Sequence, residues 1–122
     1  MKTDARTIRP NIGIYANEDE ALQGLVARLV SALDPQAIWL FGSRARGDNR
    51  PDSDFDLLVV APEGGTFGSD DYVKALRPTF DTGLDCEVVP CSKEDFDEAK
   101  ELNTSLVAQV IHRGRLLHAR PT

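Results

Sequence analysis

The sequence predicts an α/β fold with helices packed on a small sheet. One long segment and several shorter ones place apolar residues at helical spacing. Between them lie short continuous apolar runs bounded by Pro and Gly, the pattern of buried strands. The chain has 122 residues, 41% of them hydrophobic. That is the size of one domain, here 1–122, with enough interior to need no disulfide or metal staple.

Residues 1–13 contain Pro10 and Gly13 but no periodicity, and read as a tail or irregular lead-in. Asn17, followed by Glu18, Asp19 and Glu20, has the form of a helix cap with an acidic first turn. Leu22, Leu25, Val26, Leu29, Val30 and Leu33 then share one helical face, and Asp34-Pro35 ends it. Ala37 to Phe41 reads as a buried strand. Gly42 to Ser53 is polar and rich in turn residues, and Phe55 to Val60 is a second buried strand, stopped by Ala61-Pro62. A glycine-containing loop covers Glu63 to Gly68, after which Ser69 is placed to cap a helix through Tyr72, Val73 and Leu76. Leu84 to Val89 reads as a third strand bounded by Pro90. Ser92 with Asp95 opens another helix, and Asn103 or Thr104 the next, through Leu106, Val107, Val110 and Ile111 to a stop at Gly114. Arg115 to Ala119 reads as a short edge strand.

Composition narrows the function classes. With 14 Lys+Arg against 20 Asp+Glu the net charge is −6, which argues against a general nucleic-acid binder, since that role needs cations to displace counterions. No apolar run approaches the roughly 20 residues that span a bilayer. Met1 to Arg6 leads into no apolar signal core. Cys86 and Cys91 make no disulfide framework, so a reducing cytoplasm is the expected compartment. Neither they nor His112 and His118 have companions at zinc-ligand spacing. Cys86 and Trp39 read as core residues, and Tyr72 either packs or stacks on a base.

The segment richest in chemistry runs from Gly42 to Asp56. Gly42 has no Cβ and lets backbone amides approach an anion, while Ser43 adds a hydroxyl and can open a short turn of helix. Arg44, Arg46 and Arg50 follow; of these, Arg44 is the one expected to reach phosphate. Asp54 and Asp56 are alternate residues of a strand and face one side, roughly 7 Å apart. Two carboxylates beside a phosphate cradle suit Mg²⁺, which takes hard oxygen ligands and is often shared with substrate phosphates. Later, Asp85 and Glu87 again share one strand face.

Gly42-Ser43, ten intervening residues, and Asp54-Phe55-Asp56 resemble the signature of the polymerase-β-type nucleotidyltransferase superfamily. The short length and the run Gly-Ser-Arg-Ala-Arg-Gly-Asp resemble its minimal nucleotidyltransferases. The likeness extends over roughly residues 20–119, through Val88 to Phe96 and Ser105 to Leu117. The resemblance implies a small mixed β-sheet with helices mainly on one face. It implies Mg²⁺, one or two ions, and a nucleoside triphosphate, with ATP expected. Gly42 and Ser43, with Arg44, then bind the triphosphate, and Asp54 and Asp56 bind metal. A third carboxylate completes the metal site and helps activate an acceptor hydroxyl. Spacing favours Glu87 for that place and residue type favours Asp85; we take Glu87 first and Asp85 as the alternative. The family further implies AMP transfer to a partner such as a small helical HEPN-type toxin, with this chain as antitoxin. The alternative is a non-catalytic nucleotide-binding or antitoxin module that acts by complex formation. The edge at Arg115 to Ala119 also allows a homodimer.

Overall fold

The computed structural model describes residues 8–121. Residues 1–7, the first half of the expected lead-in, lie outside the described segment. Five α-helices and four strands follow: α1 (Glu18–Leu33), β1 (Ala37–Phe41), α2 (Ser43–Arg46), β2 (Phe55–Val60), α3 (Tyr72–Leu76), β3 (Cys86–Cys91), α4 (Lys93–Ala99), α5 (Leu106–Arg113) and β4 (Arg115–Ala119). A 3-10 helix, Arg77–Thr82, extends α3.

The strands form one mixed sheet in the order β3-β2-β1-β4. β1 pairs antiparallel with both β2 and β4, and β2 pairs parallel with β3. The parallel pair needs a crossover, supplied by the segment carrying α3 and the 3-10 helix.

Strand alternation sends side chains to two faces. Phe55, Leu57 and Val59 of β2 join Ile38 and Leu40 of β1 against Ala21, Leu25, Leu29 and Leu33 of α1, all buried, with Ala75 of α3. This is the larger core. Leu58 and Val60 face the other way and join Cys91, Val107 and Val110, with Trp39, Phe41 and Phe96 packed around them. The expectation of helices mainly on one face thus describes α1 and α3, and α4 and α5 add a second, smaller layer.

Several ends match the sequence. Asn17 accepts from the Glu20 amide at 2.9 Å and caps α1. Asp34 takes the left-handed conformation at its C-cap, φ 47°. Ser92 caps α4.

Three expectations are corrected. Ser69 does not cap α3; its N-cap is Asp71. The Ser69 hydroxyl instead donates to Asp95 at 2.6 Å and accepts from the Ser92 amide at 2.9 Å, tying the glycine loop to α4. Helix α5 is capped by Ser105, not Asn103 or Thr104: the Ser105 hydroxyl accepts from Ala108 at 3.0 Å and donates to the Ala99 carbonyl at 2.6 Å. β3 runs two residues later than Leu84 to Val89 and includes Pro90. Pro90 is tolerated because β3 is an edge strand and needs no outward amide. At its other end, the amides of Leu84 and Asp85 are bound by side chains: the Leu84 amide donates to Thr82 Oγ1 and the Asp85 amide to Asn11 Oδ1.

Candidate active site

The fold brings all four sequence-selected carboxylates to one end of the sheet, with Asp56 and Glu87 directly opposed in the ladder. Phe41 lies opposite Asp56 across the antiparallel pair, and Asp56 lies opposite Glu87 across the parallel pair. Directly opposed residues project to the same side. Asp56 is therefore flanked by the end of β1 on one side and by Glu87 on the other. Asp54 stands two residues earlier, exposed, just before β2 begins. Asp85 occupies the equivalent place before β3.

Electrostatics separate Glu87 from Asp85. Partial burial raises the Asp56 carboxyl above its ordinary value, and the negative charges of Glu87 and then Asp54 raise it further, with Arg46 opposing. Glu87 thus acts on Asp56 more strongly than Asp54 does. Asp85 instead borders a hollow of about 330 Å³ with Asp54, Leu76, Thr79, Phe80, Leu84 and Cys86. Among the described residues no three His, Cys, Asp or Glu side chains close on a single point. The carboxylates here are a like-charged neighbourhood, not a closed cage.

Gly42 is the next component. Its φ is +75° and its ψ −158°, a combination open essentially to glycine alone. A Cβ built there would stand 2.1 Å from Asp56 Oδ2. The glycine therefore admits both the turn and the carboxylate beneath it. The amides of Ala45 and Arg46 both donate to the Gly42 carbonyl at 3.1 Å. The amides of Ser43 and Arg44, the first two of α2, lie at its open end. Ser43 itself is half-buried.

Arg44 is directed into the loop. Its side chain is only 4% exposed. Nε donates to the Ser53 carbonyl at 3.0 Å, and one terminal nitrogen donates to the Ser53 and Pro51 carbonyls at 2.8 and 3.0 Å. The other terminal nitrogen meets Glu18 of α1 at 2.8 Å. The guanidinium also stacks over the Phe55 ring, 4.1 Å from its centroid. Arg44 is thus the brace of the loop that delivers Asp54, with its donors turned inward onto protein groups. Arg44→Lys is expected to lower stability by about 2 kcal/mol, because loop carbonyls lose partners that an ammonium cannot replace in fork geometry. Chemical denaturation checks the loss.

Arg46 takes the outward position. It is about half exposed and pairs with Asp48 at 3.1 Å. With Phe41, Gly42, Leu106, Val110 and Arg113 it lines a hollow of about 300 Å³ beside the Gly42 turn. Arg113 stands in the last turn of α5, where a cation suits the helix dipole. Chain proximity could not reveal its approach to Gly42; the antiparallel return of β4 along β1 brings it there. Cys86 and Cys91 are free, and burial raises both thiols. No described helix is long and apolar enough to cross a membrane.

Comparison with known proteins bears on this arrangement. A family model described as a nucleotidyltransferase domain matches residues 22–116. A relative from Methanocaldococcus jannaschii, provisionally named a protein adenylyltransferase, is 33% identical over 104 residues, 84% of this chain and 99% of its own. A chain from a crystal structure of a toxin–antitoxin with AMP-PNP superposes with a TM-score of 0.57 at 23% identity, over 80% of this chain and 73% of that one. A provisionally named nucleotidyltransferase from Sulfolobus solfataricus gives a TM-score of 0.52 at 18% identity, over 88% and 94% respectively. These two share the fold with the present chain.

Proposed function

We propose a function from one premise: this chain belongs to the nucleotidyltransferase domain family. On that premise it transfers AMP from ATP to a hydroxyl on a protein partner, with Mg²⁺. The observation that carries the metal requirement is the register that sets Asp56 opposite Glu87, with Asp54 two residues before it. Three acids at one strand end, opposed by Arg46 alone among the groups that act on Asp56, repel a triphosphate unless a cation intervenes. Their hard oxygens are the donor set Mg²⁺ prefers. The protein acceptor is supported by the name of the Methanocaldococcus jannaschii relative. A partner chain is also in keeping with the toxin–antitoxin neighbour. The net charge of −6 disfavours nucleic acid as the acceptor.

In this reading Asp54, Asp56 and Glu87 hold one or two Mg²⁺ ions, which when bound neutralise phosphate charge and steady the attacking and leaving oxygens. The open end of α2, with Gly42 and Ser43, receives the β- and γ-phosphates. Arg46 and Arg113 face the polyphosphate from the adjoining hollow. The acceptor oxygen attacks the α-phosphorus in line; its bond to phosphorus forms as the bond to the bridging oxygen breaks, and pyrophosphate leaves. Glu87 takes up the hydroxyl proton. The gain comes from positioning and charge neutralisation.

Calorimetry with ATP in Mg²⁺ and in EDTA tests the reading. Binding in Mg²⁺ that is lost in EDTA is expected, and equal binding in both overturns it. Intact-mass analysis of co-purified protein after incubation with MgATP identifies the acceptor by an added adenylyl group. The two candidate third carboxylates also separate by substitution. Glu87→Gln is expected to weaken Mg²⁺-dependent ATP binding at least about tenfold, and Asp85→Asn to leave it within about threefold. Titrations of both variants at fixed ATP decide between them; the reverse order would move the role to Asp85.

A further inference from the structure

Asn11 lies outside the family-matched segment, 22–116, in a stretch without helix or strand. It is nonetheless only 6% exposed. Its side-chain amide donates to the Ser53 carbonyl at 3.0 Å and to the Asp85 carbonyl at 2.8 Å. Its side-chain oxygen accepts from the Asp85 amide at 2.9 Å. Its own backbone amide donates to the Pro51 carbonyl at 2.9 Å. One residue thus satisfies both backbone groups of Asp85 and two carbonyls of the loop before Asp54.

The location gives these bonds their consequence. Ser53 directly precedes Asp54, and Asp85 lies two residues before Glu87. The Phe55 amide donates to the same Asp85 carbonyl at 3.2 Å, and from there the β2–β3 ladder runs on through Phe55–Cys86 and Asp56–Glu87. Asn11 therefore closes the ladder at the end where the carboxylates stand. Without it, the two strand starts are joined there by a single long bond. The segment itself is anchored behind Asn11: the Ile14 amide donates to the Thr82 carbonyl at 2.9 Å. A Cβ on Gly13 would stand 2.0 Å from that carbonyl oxygen, so only glycine allows this approach.

We propose that Asn11 is a positioning residue: by clasping the backbones of Ser53 and Asp85 it sets the spacing between the strand carrying Asp54 and Asp56 and the strand carrying Glu87. The proposal rests on the metal–nucleotide reading for its functional effect. Its geometry stands on the hydrogen bonds alone. Carboxylates from two strands can contribute to a cation site shared with substrate phosphates only when their backbones are held at a set spacing, because Mg²⁺ tolerates little departure from octahedral geometry. Losing an outer residue that orients ligands commonly costs 10- to 100-fold in metal affinity, on the order of what is expected here.

The test uses Asn11→Ala beside Leu33→Ala. Leu33 is buried at the C-terminal end of α1, away from Gly42, and serves as a variant weakened for packing reasons alone. Both are measured well below their melting temperatures. Asn11→Ala is expected to raise the Mg²⁺ concentration for half-maximal ATP binding at least about tenfold, while Leu33→Ala leaves it unchanged. Hydrogen exchange supplies a readout independent of nucleotide: the Phe55 and Asp85 amides are expected to lose protection in Asn11→Ala while those of Leu57 and Leu58 keep theirs. A folded Asn11→Ala protein with wild-type protection at Phe55 and Asp85 overturns the clasp. Lost protection with an unchanged Mg²⁺ requirement overturns the positioning role. Wild-type binding that is equal in EDTA overturns the metal reading and with it Asn11's effect on metal affinity, while the exchange result still decides the clasp.

Discussion

Asp56→Asn is expected to yield a protein that melts higher and loses nearly all transfer. Burial and the charges of Glu87 and Asp54 hold the Asp56 carboxyl above its ordinary value. The native state therefore binds this proton more tightly than the unfolded chain does. A raised native value means stability is fully present below the unfolded value and falls as pH rises through the native one. At neutral pH the ionised Asp56 works against folding, and the neutral amide removes that penalty. A rise of about a few degrees in melting temperature at pH 7 is the expected size for a half-buried group. The gain should vanish toward acid pH, where the wild-type carboxyl is itself protonated. On the proposed function, transfer should by contrast fall by on the order of a thousandfold, because an amide would be a weak ligand for the metal at this position. Thermal melts at two pH values and an adenylyl-transfer assay check both halves. The same variant distinguishes catalysis from a module that acts by complex formation. If Asp56→Asn transfers no AMP but still neutralises a partner fully, binding is the function.

Gly42→Ala is expected to damage both stability and transfer. Two effects act together at that position. The φ of +75° with ψ −158° costs a non-glycine residue about 1–3 kcal/mol. The new Cβ would also lie 2.1 Å from Asp56 Oδ2, so the carboxylate must move or the turn must open. Either outcome separates the Gly42 turn from the strand that carries Asp56. Stability is expected to drop by about 2–3 kcal/mol and transfer by about a hundredfold or more, since small misplacement at a reacting centre is amplified in rate. Gly47→Ala is the comparison: φ is +85° there, but no atom stands within 4 Å of its Cβ. It should lose stability from backbone strain alone and keep Mg²⁺-dependent ATP binding. Denaturation and calorimetry on the pair separate strain from collision.

Much of the fold was legible in the chain because local signals agreed with tertiary packing. The α1 cap, the apolar runs at Ala37–Phe41 and Phe55–Val60, and the stop at Gly114 each had a short-range cause that the structure retains. The misplacements share another cause. Ser69, Asn103 and Thr104 have the chemistry of helix caps, but a cap is a competition among nearby side chains. Asp71 and Ser105 are the residues that occupy the cap positions. β3 began late because Asp85, a residue with strand-like neighbours, finds its partner in Asn11, 74 positions earlier.

The candidate site divides in the same way. The sequence by itself determined that Gly42, Ser43, Asp54 and Asp56 belong together, because they flank one turn between adjacent strands and the spacing suffices to say so. It also narrowed the third carboxylate to Asp85 or Glu87, because period-two alternation cannot choose between residues on the same face. Only the tertiary structure placed Glu87 opposite Asp56, turned Arg44 inward to brace the loop, and brought Arg46 and Arg113 to one hollow. Only the tertiary structure, too, assigned work to Asn11. The physical reason is common to all of these. Register across a parallel pair, the direction of a long side chain and the closure of a loop onto a distant segment depend on contacts between remote parts of the chain, and no local window of sequence contains both partners.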